Sequence, residues 1–382
     1  MKGVILAGGK GTRLLPLTGS LPKPMVPLLG KPCMEYTILL LRRYGICDIA
    51  VTTHYRPEAL EHYFGDGSRF GVRLRYFAET APLGTAGGLK NARAFLDEQF
   101  VVVSGDALTD VDLSAFVRFH ETRNSPLTLM LSRVAEPCAF GIVLTGPEGR
   151  IVRFLEKPAP EQAFSDTVNT GIYVMEPEVL DWIPEASAYD FSRQLFPELL
   201  EKGIPIYGYT SNAYWSDIGT IRQYVRSQYD MLEGRIRMDI QARQILPGVY
   251  VAGGVRLQPG CVVEGPAFIG EGTSIGTQAR VGPYAVIGSG NRIERGCRLE
   301  RAILWDGNRL AAYTDVRDSV LCSGIRAGSG ARVPEGTVIG NGAVIGGRPV
   351  PLPEAQQIPK TETEGWLYAD SDRIETDSIL FP

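Results

Sequence analysis

Residues 6–13 read Leu6-Ala7-Gly8-Gly9-Lys10-Gly11-Thr12-Arg13, and Pro22-Lys23-Pro24 follows. The run from Gly3 to Ala7 is short and apolar, as a buried strand entering a loop would be. Glycines placed there let backbone N–H groups close around phosphate oxygens. Arg13 adds a forked cationic donor and Lys23 a second cation. The chemistry suggested is the binding and neutralisation of phosphates. Two common phosphate loops are excluded. The Gly-x-x-x-x-Gly-Lys-Ser/Thr spacing is absent, and Leu14 stands where a dinucleotide fingerprint needs its third glycine. The glycines alone would fit a tight turn with surface cations equally well; Thr12-Arg13 and the Pro-Lys-Pro run favour the phosphate site.

Such a loop needs a scaffold. Residues 33–44 carry apolar positions at helical spacing, with Gly45 as a C-cap. Asp48–Thr53, Val72–Phe77 and the β-branched Phe100–Ser104 read as strands, and Gly88–Leu96 and Leu113–Thr122 as helices. This alternation predicts a three-layer α/β domain with a mostly parallel, Rossmann-like sheet. Ligands in such sheets sit at the carboxyl ends of strands. The loops after Ala7 and Ser104 are therefore the first places for chemistry. Thr220–Leu232 reads as a helix leading out of the domain.

The composite resembles the sugar-1-phosphate nucleotidyltransferases, also called nucleoside-diphosphate-sugar pyrophosphorylases. Their signature runs Gly-Gly-x-Gly-Thr-Arg-Leu, then Pro-Lys-Pro. Further matches follow in order. Leu83-Gly84-Thr85-Ala86-Gly87-Gly88 is similar to the family's nucleotide-base loop, and Gly105-Asp106 to its metal-binding aspartate. Glu156-Lys157-Pro158 and Asn169-Thr170-Gly171 are similar to its sugar-phosphate contacts, and Trp215-Ser216-Asp217-Ile218-Gly219 to the segment carrying its second metal aspartate; Phe140-Gly141 reads as an approach of sugar to the backbone or as a β-bulge. The resemblance covers about residues 1–235. It implies that a sugar-1-phosphate oxygen attacks the α-phosphorus of a nucleoside triphosphate and releases pyrophosphate. The catalytic residues expected are Arg13, Lys23, Asp106 and Asp217, with both aspartates on Mg²⁺. Leu6, Ala7, Gly8, Gly9, Gly11, Thr12, Arg13, Gly84, Thr85 and Gly88 would bind nucleotide. Gly141, Glu156, Lys157, Asn169 and Thr170 would bind sugar phosphate. The chemistry mostly demands positioning and neutralised charge. Mg²⁺ suits one or two carboxylates completed by phosphates and water. A phosphate monoester is already ionised, so no general base is required. Asp110 and Asp112 read as caps or solvated residues.

The loop and the Glu-Lys-Pro and Asn-Thr-Gly sets look most like the mannose-1-phosphate guanylyltransferase branch. A glucose-1-phosphate enzyme using another nucleotide is the alternative, and a non-catalytic regulatory or scaffolding relative a third reading. Some bacterial members of the branch continue into a phosphomannomutase-like domain, which this sequence lacks.

Glycine is concentrated elsewhere: 21 of the 44 lie between Gly248 and Arg348. From Val251 to Leu299 every sixth residue is aliphatic, and small or medium-sized residues stand two places earlier. A period of six marks a parallel β-helix of hexapeptides, left-handed in the appendage that several family branches carry. The register slips after Leu299, resumes at Leu310 and Val316, and again at Val333, Ile339 and Ile345. Irregular turns are expected at the slips. The three histidines, at 54, 62 and 120, all lie outside this region. A hexapeptide acyltransferase, which usually relies on a histidine base, is thereby disfavoured. The domains expected are 1–235, catalytic; 236–346, β-helix; and 347–382, a proline-containing linker and tail that packs back through Trp366.

Formal charge is −4, too near neutral for a nucleic-acid footprint. The longest aliphatic run, Ile38–Leu41, is far too short to span a membrane. Nothing at the N-terminus resembles a signal peptide. The six cysteines form no Cys-x-x-Cys pair, which suits a reduced, cytoplasmic protein. The expected partners are a nucleoside triphosphate, a sugar-1-phosphate and further copies of the chain in a homo-oligomer.

Overall fold

A computed structural model of the chain describes residues 1–346 and the backbone strand Leu367–Ala369. The rest of the expected linker and tail, Trp366 included, lies outside the described residues. Two compact units emerge. One comprises Met1–Lys10, Pro22–Met25 and Pro32–Ile218; the other comprises Gly11–Leu21, Val26–Lys31 and the chain from Gly219 onward.

The first unit opens with β1 (Lys2–Leu6). Past the short strands β2 (Pro27–Leu28), which falls in the second unit, and β3 (Lys31–Pro32), it continues with α1 (Cys33–Arg43), β4 (Asp48–Thr53), α2 (Pro57–Phe64), β5 (Arg73–Ala78), α3 (Gly84–Asn91) and β6 (Phe100–Ser104). β6, β1, β4 and β5 are neighbours in that order, all parallel. Val4, Ile5, Ala50, Val51 and Val101–Val103 are fully buried, as strands covered on both faces must be. β7 (Ala107–Thr109) and α4 (Leu113–Glu121) follow. Then come β8 (Leu127–Arg133), β9 (Gly141–Thr145), β10 (Ile151–Glu156), β11 (Thr167–Met175), α5 (Phe196–Glu201), β12 (Ile206–Thr210) and β13 (Trp215–Asp217). β11 runs antiparallel to β6, β8 and β9, so the sheet is parallel from β6 to β5 and mixed beyond β6.

One helix differs from expectation. α3 spans Gly84–Asn91 and a separate 3-10 turn spans Arg93–Phe95, where a single helix over 88–96 was expected. The glycines that read as a loop form the helix's first turns. They are required by close packing: a Cβ on Gly84 would stand 2.7 Å from the Tyr189 carbonyl oxygen, and on Gly87 2.6 Å from that of Ser187.

In the second unit, α6 (Ile221–Leu232) groups with the repeats. Side chains explain this: Trp305 Nε1 donates to the Tyr224 hydroxyl at 2.8 Å, and the Tyr229 hydroxyl donates to the Arg301 carbonyl at 3.0 Å. The hexapeptides form three parallel ladders of two- and three-residue strands. Their inward aliphatics make one stacked core from Ile269 to Ile345. The slips have a defined form. Partner strands match Val281 with Leu299, a full coil, but Ile287 with Leu304 and Leu304 with Leu321, so the same corner of two successive coils is one residue short. Arg301 and Asp318 occupy these tightened corners with φ of 50° and 42°.

Candidate functional site

The carboxyl ends of β1 and β6 lie side by side. Leu6 is level with Ser104, and the Gly105 N–H donates to the Leu6 carbonyl at 2.9 Å. A Cβ on Gly105 would stand 3.1 Å from that oxygen and 3.3 Å from Pro24. Glycine thus lets Pro22–Met25 close over the end of the sheet. Next in the chain, Asp106 accepts a hydrogen bond from the Ser104 hydroxyl. β7 pairs antiparallel with β13, setting Ala107 opposite Asp217, and the Ile218 N–H donates to the Asp106 carbonyl at 3.2 Å. This two-strand ribbon brings together aspartates far apart in sequence. Lys23 Nζ reaches both: it pairs with Asp106 Oδ2 and stands 3.0 Å from Asp217 Oδ1.

Burial opposes charge on Lys23 and on Asp106, but attraction between opposite charges wins. Burial disfavours the Lys23 ammonium, yet the Asp106 and Asp217 carboxylates raise its pKa above the usual lysine value. Burial likewise pushes the Asp106 carboxyl up, and Lys23 with Ser104 holds it below its usual value. Two carboxylates converging on one cation can also hold a divalent metal, provided phosphates and water complete its shell. Among the described residues no group of three or more His, Cys, Asp or Glu side chains could form an all-protein cage. The donor set therefore fits a metal shared with phosphate substrate.

Around the first glycines, Ala7 N–H donates to Thr52 carbonyl at 2.9 Å, and a Cβ on Gly9 would meet nothing within 4 Å. A Cβ on Gly8 would stand 3.6 Å from Glu79 Oε1, and one on Gly88 2.4 Å from the same atom. Glu79 Oε2 accepts from the Leu83 N–H at 2.9 Å, and burial raises its pKa. Gly11, Thr12 and Arg13 belong to the second unit. There Gly11 has φ 68°, its carbonyl accepts from the Thr18 hydroxyl at 2.8 Å, and Thr12–Leu14 forms one 3-10 turn with Arg13 exposed.

The expected sugar-phosphate residues form a second cluster of the first unit. Gly141 lies opposite Glu156, where a Cβ would stand 2.7 Å from Glu156 Oε2. Lys157 is exposed, with Nζ 3.8 Å from Glu156 Oε1. Burial raises the Glu156 carboxyl; Lys157 and a hydrogen bond with Ser192 act the other way. Asn169 Nδ2 donates to the Tyr173 hydroxyl at 3.0 Å and lies 3.4 Å from Ser192 Oγ. Phe140 packs edge-on to Trp215 at 5.2 Å between ring centroids, and Trp215 Nε1 donates to the Thr170 carbonyl at 3.0 Å. Thr170 departs from expectation: its hydroxyl is buried and donates to the Met130 carbonyl at 2.8 Å. That side chain is committed to the sheet. Asp110 and Asp112 act within the fold, accepting from the N–H groups of Tyr214 and Ala115.

Sequence reasoning missed Asp190. Its Oδ2 accepts from the Thr85 hydroxyl at 2.9 Å, and its Oδ1 from the N–H groups of Ser192 and Arg193 at 3.0 and 3.2 Å. The expected base loop and sugar cluster are thus tied through residues 190–192. An aspartate before Phe191-Ser192-Arg193 is an N-cap signal and was readable. Glu79 carried no comparable signal beyond following a strand end.

No helix among the described residues is long and apolar enough to cross a membrane. Residues 2–234 match the family model described as nucleotidyl transferase, and residues 247–350 that of the EIF2B subunit epsilon LbH domain. A Mycobacterium tuberculosis mannose-1-phosphate guanylyltransferase is 40 % identical over 300 residues, covering 78 % of this chain and 82 % of the relative. A Synechocystis UTP–glucose-1-phosphate uridylyltransferase is 37 % identical over 337 residues, 84 % of this chain and 87 % of its own. An Arabidopsis thaliana mannose-1-phosphate guanylyltransferase is 31 % identical, covering 89 % and 91 %. A Bacillus anthracis structure assigned provisionally as a glucose-1-phosphate thymidylyltransferase aligns with a TM-score of 0.57 and 26 % identity, over 63 % of this chain and 97 % of that one. With its sheet, its aspartate pair and these likenesses together, the chain belongs to the nucleotidyl transferase family and carries a hexapeptide β-helix later in its sequence.

Proposed function

We propose that the protein transfers a guanylyl group from GTP to mannose-1-phosphate, giving GDP-mannose and pyrophosphate, with Mg²⁺ as the metal. The observation that carries nucleotidyl transfer is the convergence of Asp106 and Asp217 on one cationic position held by Lys23. A phosphate oxygen of the sugar phosphate forms a bond to the α-phosphorus, and the bond from that phosphorus to the β-bridging oxygen breaks. Asp106 and Asp217 would hold Mg²⁺, which supplies neutralising charge at the phosphates. Lys23 stays protonated throughout and offsets negative charge as two anions approach. Arg13, exposed on its turn, offers a forked donor to the triphosphate. Gly8 and Gly9 admit phosphate to the backbone. Glu156 and Asn169 accept and donate to sugar hydroxyls, and Lys157 pairs with the sugar phosphate. Thr85 and Gly88 border the base. The whole operates in the cytoplasm as a homo-oligomer.

The mannose and guanine choice is supported by the relatives of that name. The Synechocystis relative favours a second reading, uridylyl transfer to glucose-1-phosphate. A matrix of nucleoside triphosphates against mannose-, glucose- and N-acetylglucosamine-1-phosphate, followed by pyrophosphate release, decides between them. GTP with mannose-1-phosphate should give the highest kcat/KM. A maximum at UTP with glucose-1-phosphate would replace our reading with the second. Absence of release with every pair would point to a non-catalytic relative.

A further inference from the structure

One ladder of the β-helix presents a charge pattern that its fold does not require. Strands Arg292–Ile293, Arg309–Leu310 and Arg326–Ala327 pair in parallel, with Arg292 level with Arg309 and Arg309 with Arg326. Neighbouring strands lie about 4.8 Å apart, so three guanidinium stems rise from successive coils in register. All three side chains are exposed. Like charges placed directly opposite one another destabilise a sheet. The same ladder position holds Ser274 and Val344 in other coils, so a neutral residue is compatible with the coil.

The adjacent ladder handles its charges differently. It runs Arg280, Arg298, Asp315, Arg332, with an aspartate set into the row, and Asp315 is paired bidentately with Arg317 at 2.9 Å for each contact. In the arginine ladder Glu294 Oε1 lies 4.0 Å from Arg292 Nε. Glu294 also accepts from the Ala312 N–H at 3.2 Å. Arg309 and Arg326 have no ion-pair partner among the described residues. Arg292, Glu294, Arg309 and Arg326 line a concave site of about 280 Å³ floored by Leu310, Ala311 and Ala327. Small floor residues leave room for a ligand between the arginine forks. Three guanidinium groups against one carboxylate leave a net charge of about +2 on a site of small-molecule size, and the guanidinium fork matches phosphate oxygens.

We infer that this face of the β-helix is a binding site for a small polyphosphorylated anion, distinct from the nucleotidyl-transfer site and anchored by Arg309 and Arg326.

Inorganic tripolyphosphate is the probe, titrated calorimetrically into the full chain at about 0.15 M salt, where surface charges are screened beyond roughly 8 Å. Two sites per chain are expected, one of them suppressed by Arg13→Gln. The double variant R309Q/R326Q should lose the other, with at least tenfold weaker affinity there, and should keep basal pyrophosphate release. Without ligand it should melt no lower than the parent. Equal stoichiometry and affinity in parent and double variant would overturn the assignment, as would parent binding that vanishes at that salt concentration. If the double variant fails to fold, Arg309→Ser, which repeats the residue of the Ser274 coil, carries the same test.

Discussion

Replacing Lys23 by methionine tests the aspartate pair without touching either carboxylate. Lys23, Asp106 and Asp217 retain 12 %, 17 % and 27 % of their side-chain exposure. Removing the ammonium leaves two half-buried carboxylates facing one another with no counter-charge between them. Breaking a buried pair by deleting one partner costs about 3–5 kcal/mol. The exposure of Asp217 argues for the lower end, about 3 kcal/mol, which for a unit of this size lowers Tm by roughly 6–12 °C. The same substitution removes the competitor for a divalent cation. Mg²⁺ at a hundredfold excess over its Kd adds about 2.7 kcal/mol. In Lys23→Met it should therefore recover most of the lost Tm, while the parent gains much less. Differential scanning fluorimetry with EDTA and with excess Mg²⁺ reads both effects, and Ca²⁺ serves as a second hard cation. Pyrophosphate release should stay low even with metal, because the α-phosphate loses its cation. A variant that melts low and gains no more from Mg²⁺ than the parent would show that the two aspartates do not form a metal site.

Asp190→Ala should release both the Thr85 hydroxyl and the cap on Ser192 and Arg193. A lost cap costs about 1 kcal/mol, and KM for both substrates should rise, with Asp190→Asn recovering part of the loss. Unchanged KM for each substrate would reduce Asp190 to a structural cap. Glu156→Gln concerns pH. Burial holds the Glu156 carboxyl above its usual pKa, so the folded chain keeps that proton to higher pH than the unfolded one. The charged form costs stability at neutral pH, and the cost disappears as pH falls below about 4. The variant should melt higher than the parent at pH 7, converge with it in acid, and bind sugar phosphate more weakly; a lower Tm at pH 7 would refute the sign.

The parallel half of the sheet was legible because its strands are buried on both faces and read as continuous apolar runs, as in Val101–Val103. The β-helix was legible for a related reason: one inward position per hexapeptide survives from Val251 to Ile345 despite two shortened corners. α3 was not, because glycine's low helix propensity hid it. Gly84, Gly87 and Gly88 are there to let residues 187–190 and Glu79 approach, and no local pattern reports a tertiary contact. The grouping of α6 with the repeats was equally hidden, resting on Trp305 and Arg301 far along the chain.

The residues expected to be catalytic show where the boundary of sequence reasoning lies. Lys23, Asp106 and Asp217 were named individually by motif, but their common position depends on the β7–β13 ribbon, a pairing of two three-residue strands too short to carry a periodic signal. Short strands gain little from intrinsic propensity and are fixed by what surrounds them. Here Gly105 lets Pro24 close down, the Ile218 N–H finds the Asp106 carbonyl, and Trp215 anchors on Thr170. The Thr170 hydroxyl donates to the Met130 carbonyl while its own carbonyl accepts from Trp215. Thr170 thereby also fixes Trp215, which stands two residues before Asp217 on the same strand. The motif names Lys23, Asp106 and Asp217, while the residues between them bring the two aspartates onto one cation.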